Sequence, residues 1–234
     1  SGTSAWPAAF RALVAHRRPL MLQGPMGGFF SELAAMLAER GHDVTKVHFN
    51  GGDQLFWRHR GALRYNGGAE ALRDWLRAVM RERETDAMVL FGQMRPLHVI
   101  ARAVARELGV EVFVFEEGYL RPHYVTVERR GVNALSLQPR LASFYREAPE
   151  HKQPDAPEPT GQSFWGMAAH AAAYGLASLL LKPWYSLNAH HRSLNPVTET
   201  LRWVRGGARR LTRSWLERGE LGRLCSAAHS KRWF

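Results

Sequence analysis

Pro19-Leu20-Met21-Leu22-Gln23-Gly24-Pro25-Met26-Gly27-Gly28 decides how the fold of this 234-residue chain is read. Residues 19–23 form an apolar run of strand length, and the glycines and proline of 24–28 end it. Phe30, Leu33, Met36 and Leu37 then recur at helical spacing until Gly41 supplies a stop. A strand, a glycine loop and a helix in that order make half of a βαβ unit.

Working outward, the unit repeats. Residues 44–49 read as a second strand that runs into the turn-forming cluster Asn50-Gly51-Gly52-Asp53. Leu72, Trp75, Leu76 and Val79 mark a helix, 87–91 a buried strand, 97–108 another helix, 111–115 a further strand, and 124–127 a strand or hairpin arm. This alternation predicts an α/β fold, a Rossmann-like parallel sheet covered by helices, over residues 1–146.

Prolines at 149, 154, 157 and 159 among charged residues predict an extended linker over 147–162. The remainder, 163–234, is expected to be helical and basic. Residues 164–181 contain no Asp, Glu, Lys or Arg, yet fall short of the roughly 20 apolar residues a spanning helix needs. Two readings stay open for them: a buried inter-domain helix, or a helix lying in a membrane interface with Trp165, Trp184 and Tyr185 as anchors.

Charge is unevenly distributed. The chain carries 32 Lys+Arg against 21 Asp+Glu, and residues 202–234 hold nine Lys+Arg against two Glu. Such a tail favours an anionic surface such as phospholipid headgroups. Nucleic acid is disfavoured as a partner, because the charge gathers in one tail and no recognised nucleic-acid module appears. Cys225 stands alone, so an internal disulfide is excluded and a reducing compartment is expected. Ser1-Gly2 opens the chain without the charged-then-apolar order of a secretory signal, which predicts a trimmed, cytoplasmic protein.

In open parallel sheets ligands bind beyond the carboxyl ends of the strands, where loops and helix N-termini converge. The strand ends here carry Gly24 to Gly28, Asn50 to Asp53, Gly92 to Arg95, and Glu116-Glu117-Gly118-Tyr119-Leu120-Arg121-Pro122. Gly24, Gly27 and Gly28 either let backbone approach a phosphate or carboxylate or form a purely structural turn; the spacing matches neither the dinucleotide fingerprint nor the P-loop. Two carboxylates directly after an apolar strand are costly unless paired, solvated or used. Glu117 and Glu116 are therefore catalytic candidates, with a structural ion pair to Arg121 or Arg95 as the alternative, and Asp53 joins them as a third titratable group. Asn50, Gly51, Arg95, His98, Tyr119 and Arg121 make up the expected substrate-binding set. No Ser/His/Asp order and no metal-ligand spacing stands out.

Leu22-Gln23-Gly24-Pro25 with Gly27 and Phe29, Val47-His48-Phe49-Asn50-Gly51-Gly52-Asp53, Phe91-Gly92 with Arg95-Pro96 and His98, the stretch 115–122, and His190-His191-Arg192 together resemble the capsular polysaccharide synthesis/export family of the KpsS type. The resemblance covers nearly the whole chain. It implies the first half of a two-domain, GT-B-like glycosyltransferase, peripheral at the inner membrane. The implied reaction moves β-linked Kdo (3-deoxy-manno-octulosonic acid) from CMP-Kdo to a lysophosphatidylglycerol acceptor, with no metal and no cofactor. The alternative it carries is a non-enzymatic assembly protein that binds lipid-linked polysaccharide or the capsule export complex. It further implies that 163–234 leads into a second α/β domain holding most of the CMP-Kdo site, so that this fragment alone is catalytically poor. Two positions depart from the family pattern: Gln93 and His123 stand where acidic residues are expected.

Overall fold

The computed structural model describes residues 6–118, 124–147, 164–185, 187, 196–217 and 219–220. The expectations placed on Tyr119, Arg121 and His123, on nearly all of the 147–162 linker, and on His190-His191-Arg192 lie outside those residues.

Six strands form one sheet: β1 (Pro19–Met21), β2 (Thr45–His48), β3 (Ala62–Arg64), β4 (Ala87–Phe91), β5 (Glu111–Glu117) and β6 (Val125–Arg129), in the order β3-β2-β1-β4-β5-β6. The first five are parallel, with Leu20 opposite both Thr45 and Met88, and β6 runs antiparallel to β5 with Phe115 opposite Val127. The fold is therefore the expected α/β sheet, with the predicted hairpin arm as its antiparallel edge. The sequence reading missed β3, whose three residues are at least partly exposed and form no apolar run.

Helices cover both faces, because successive side chains of a buried strand point to opposite sides. Leu20, Leu22, Met88, Leu90, Val112 and Val114 pack on one side beneath α4 (Leu72–Glu82) and α5 (Pro96–Glu107), through Leu76, Met80, Ala101 and Val104. Met21, Ala87, Val89, Phe113 and Phe115 pack on the other beneath α1 (Ala8–Ala15) and α2 (Phe29–Ala38), through Leu13, Phe30, Leu33 and Leu37. Burying a side chain of this size stabilises by about 2 kcal/mol, so these two layers dominate the stability of the unit.

Beyond the sheet come two short helices, α3 (Gly51–Leu55) after β2 and α6 (Ala142–Arg146), then α7 (Phe164–Leu180) and α8 (Pro196–Leu216). The chain divides into two compact units, residues 1–191 and 192–234. Helix α7 packs on α3 within the first of these units. In the second unit, α8 exposes Arg202, Arg205, Arg209, Arg210 and Arg213 together with Trp215 and Leu216.

Candidate functional site

The strand order reverses between β1 and β4, the point at whose carboxyl edge open sheets of this kind bind ligands. Arg95, the N-cap residue of α5, reaches across that point: its guanidinium donates to the Gly24 carbonyl at 3.1 Å and the Gln23 carbonyl at 3.4 Å. Burial lowers the Arg95 pKa, while Asp53, Tyr174 and Glu116 oppose that shift. Gly92 turns the chain at φ +70°, a conformation that favours glycine, and fully buried His98 holds its carbonyl through Nδ1 at 2.6 Å. His98 thus holds the Gly92 loop from beneath.

At the end of β5 the two carboxylates separate as strand alternation requires. Glu116 is half-buried on the Gly92 side, its Oε2 3.6 Å from where a Cβ on Gly92 would sit. Glu117 is exposed, and its N–H donates to Glu116 Oε1 at 3.3 Å. Glu116 is thus the carboxylate on the Arg95 side. Gln93 is buried and pairs with the backbone of Val132, donating to its carbonyl at 2.7 Å and accepting its N–H at 2.8 Å. An ionised carboxylate in its place could accept but not donate.

The end of β2 is built differently. Asn50 caps α3, accepting the Asp53 N–H at 2.8 Å, and Asp53 accepts the Phe49 N–H at 3.1 Å. Helix α7 lies directly across this turn. Tyr174 accepts from the Asn50 amide at 2.8 Å and donates to Asp53 Oδ1 at 3.0 Å, and Ser178 Oγ accepts the Gly52 N–H at 3.0 Å. A Cβ on Gly51 would stand 2.1 Å from the Ala177 carbonyl oxygen, and one on Gly52 2.5 Å from the Tyr174 ring. Gly51 and Gly52 admit a helix, and both oxygens of Asp53 accept hydrogen bonds that hold the turn.

Below that turn lies a narrow cavity of about 20 Å³, lined by Gly24, Gly27, Lys46, Asp53, Trp57 and Tyr174 among others. Gly27 adopts φ +109° in the loop that forms one wall. Lys46 is buried, and desolvation lowers its pKa to about 8 against the attraction of Asp53. His48, two residues along the same strand, is lowered to about 3 by burial and then by the charges of Lys46 and Arg64, so it is neutral at physiological pH.

The structure accordingly brings Gly24, Arg95 and Glu116 near one another, sets Gly27 and buried Asp53 in the lining of the small cavity, and puts Gly28 at the start of α2. Asn50 and Gly51 lie under α7. The sequence reading missed Lys46, Trp57, Tyr174 and Ser178. A lysine inside a predicted central strand was an available signal for Lys46; Tyr174 is remote in sequence from Asn50 and had none beyond the paired glycines.

On its other side α7 leaves Trp165, Met167, Leu176, Leu179 and Leu180 exposed, with Trp184 beyond its end. Tyr185, expected as an interfacial anchor, is instead buried, its hydroxyl donating to Gln54 Oε1 at 2.7 Å. The phenol finds its polar partner inside the protein. Among the described residues, no helix is long and apolar enough to cross a membrane.

Residues 86–232 match the family described as Capsule polysaccharide biosynthesis protein. The chain belongs to that family. It is 38% identical over 216 residues to the Capsule polysaccharide export protein KpsS of Escherichia coli, covering 92% of this chain and 55% of that protein. It is 39% identical over 181 residues to the Capsule polysaccharide modification protein LipB of Neisseria meningitidis serogroup B, covering 75% of this chain and 43% of that one. This family member spans about half the length of the curated relatives it matches.

Proposed function

We propose that this capsule polysaccharide protein supplies the acceptor-side half of a glycosyltransferase that moves Kdo from CMP-Kdo onto lysophosphatidylglycerol at the inner membrane surface. The observation that carries the reading is the meeting of a glycine loop, Arg95 and the Glu116 carboxylate at the carboxyl edge of a parallel sheet, beside the point where the strand order reverses. In this reading the bond from the anomeric carbon to the CMP oxygen breaks and the acceptor hydroxyl forms the new glycosidic bond, giving its proton to a base, either directly or after a carboxylate has displaced CMP to form a covalent intermediate. Glu116 acts as acid/base or nucleophile, and Arg95 holds an acidic group of the substrate. CMP leaves as a phosphate monoester, so no metal is invoked. The donor is held chiefly by a second domain beyond this half. Attachment to the membrane draws on the arginines of α8 for attraction to anionic headgroups and on the exposed tryptophans and leucines of α7 for apolar insertion.

The test is CMP release by the full-length protein supplied with CMP-Kdo and lysophosphatidylglycerol. Glu116→Gln is expected to lower kcat by about 10²-fold or more, the usual size of an acid/base contribution, with Glu117→Gln within about fivefold. Full turnover in the Glu116→Gln/Glu117→Gln double variant removes the acid/base assignment. No turnover by the wild type favours the second reading, a non-enzymatic assembly protein binding lipid-linked polysaccharide, which the export name of the Escherichia coli relative supports.

A further inference from the structure

Two residues that line the cavity under α7, Lys46 and Trp57, carry donors with hydrogen bonds unmade. Lys46 is 3% exposed, and its ammonium donates to the Val47 carbonyl at 3.0 Å, one bond for three N–H groups. No described carboxylate lies within 4.0 Å of it. Buried lysines are almost always paired, because an ammonium removed from water without a counter-charge is strongly disfavoured. The nearest candidate, Asp53, already accepts from Phe49 and Tyr174, and its single charge is shared with Arg95.

A second observation points the same way. Trp57 Nε1 is buried and has no hydrogen-bond partner among the described residues, although Trp57 lines the same cavity as Lys46. An indole N–H only donates. One cavity thus holds a cation with bonds to spare and a neutral donor with none made. What both lack is an acceptor, preferably a charged one.

We propose that this cavity takes one oxygen of an anionic group, a carboxylate or a phosphate, held by the Lys46 ammonium and the Trp57 indole N–H. A cavity of about 20 Å³ has room for at least one oxygen, and in the proposal the rest of the group extends past the Gly24 to Gly27 loop. The lowering of the Lys46 pKa to about 8 is the electrostatic cost that such an anion relieves. Oxyanion binding itself does not depend on the transferase reading. That reading bears only on the natural ligand, which would be the acidic sugar or the phosphate of the acceptor.

The experiment follows the Trp57 indole N–H resonance, identified by its disappearance in Trp57→Phe, while sodium phosphate, sodium acetate or sodium chloride is added to the whole chain at equal ionic strength. A downfield shift that saturates with phosphate or acetate and not with chloride is expected. Response to acetate alone assigns a carboxylate, to phosphate alone a phosphate ester, and to both a shared oxyanion site. Lys46→Met, which replaces a buried ammonium by an apolar chain of similar reach, is expected to weaken binding at least tenfold; Lys182→Met, at an exposed lysine, leaves it unchanged. If Lys46→Met folds poorly, Trp57→Phe followed by phosphate-dependent thermal stabilisation must show a severalfold loss. No shift in the wild type means a water fills the cavity and overturns the proposal, as does an equal shift in Lys46→Met. Loss of CMP release with oxyanion binding intact sinks the transferase reading alone.

Discussion

The ends of β2 and β5 lie on the same edge of one sheet and look alike in sequence, each an apolar strand followed by glycine and acidic residues. They have opposite fates. At the end of β2, Asn50, Gly52 and Asp53 spend their hydrogen bonds on one another and on α7. At the end of β5, no element among the described residues lies across Glu116 and Glu117, which are half-buried and exposed respectively, and Arg95 is close enough to Glu116 to feel its charge. A polar cluster after a strand therefore marks either a docking point for another element or a surface left open for a ligand, and the residues that cover it decide which.

That contrast predicts two kinds of variant: changes at the covered end should cost stability, and changes at the open end should cost turnover. The largest stability effect is expected from Gly52→Ala. Its new methyl meets the Tyr174 ring at 2.5 Å, far inside contact distance, so α7 must move away. Overpacking of this kind costs about 3 kcal/mol, read as a lower urea midpoint. An unchanged midpoint would mean that α7 does not hold the turn closed. Glu116→Gln, at the open end, is expected to leave that midpoint within about 0.5 kcal/mol.

Comparable in size is a pH effect at Lys46. Its folded pKa is about 8 against an ordinary value of 10.5, so between those values the unfolded chain binds a proton that the folded protein does not. Stability contributed by this site therefore rises with pH from about 8 to 10.5, by about 3 kcal/mol at the conversion of one pKa unit to 1.36 kcal/mol. Lys46→Met removes that rise. Subtracting its stability curve from the wild type's isolates the window, and a flat difference shows that Lys46 ionises normally.

How far the sequence carried the reading follows from the range of the interactions involved. Strands β1, β2, β4 and β5 and helices α2, α4 and α5 were legible because their apolar spacing is local and their ends carry glycine or proline. β3 was not, since Ala62-Leu63-Arg64 has no pattern and pairs only because β2 offers a free edge. The rim was legible as a set of strand ends, which is a property of topology. The identity of its working groups was not. Strand alternation requires Glu116 and Glu117 to part, but only the position of Gly92 says which of them is on the Arg95 side. Asn50, Gly51 and Asp53 read as ligand contacts because nothing within 100 residues reveals the helix that covers them, and Tyr185 read as an interfacial anchor because Gln54 is equally remote.

The smallest effect tests the centre of the covered end. Tyr174→Phe deletes one hydroxyl that accepts from Asn50 and donates to Asp53, while the ring keeps its stacking on Phe56 at 6.3 Å between centroids. Leaving two buried polar groups short of a partner costs about 1 to 2 kcal/mol. The sign of the pH dependence distinguishes this from simple loosening. Burial, then the charge of Asp53, raises the Tyr174 pKa above its ordinary 10, so above pH 10 the unfolded chain releases a proton that the folded one retains. Wild-type stability gains a falling component there, opposite to the Lys46 window, and Tyr174→Phe should lack it. If the variant loses stability equally at every pH, the hydroxyl sits in water and the end of β2 is as open as the end of β5.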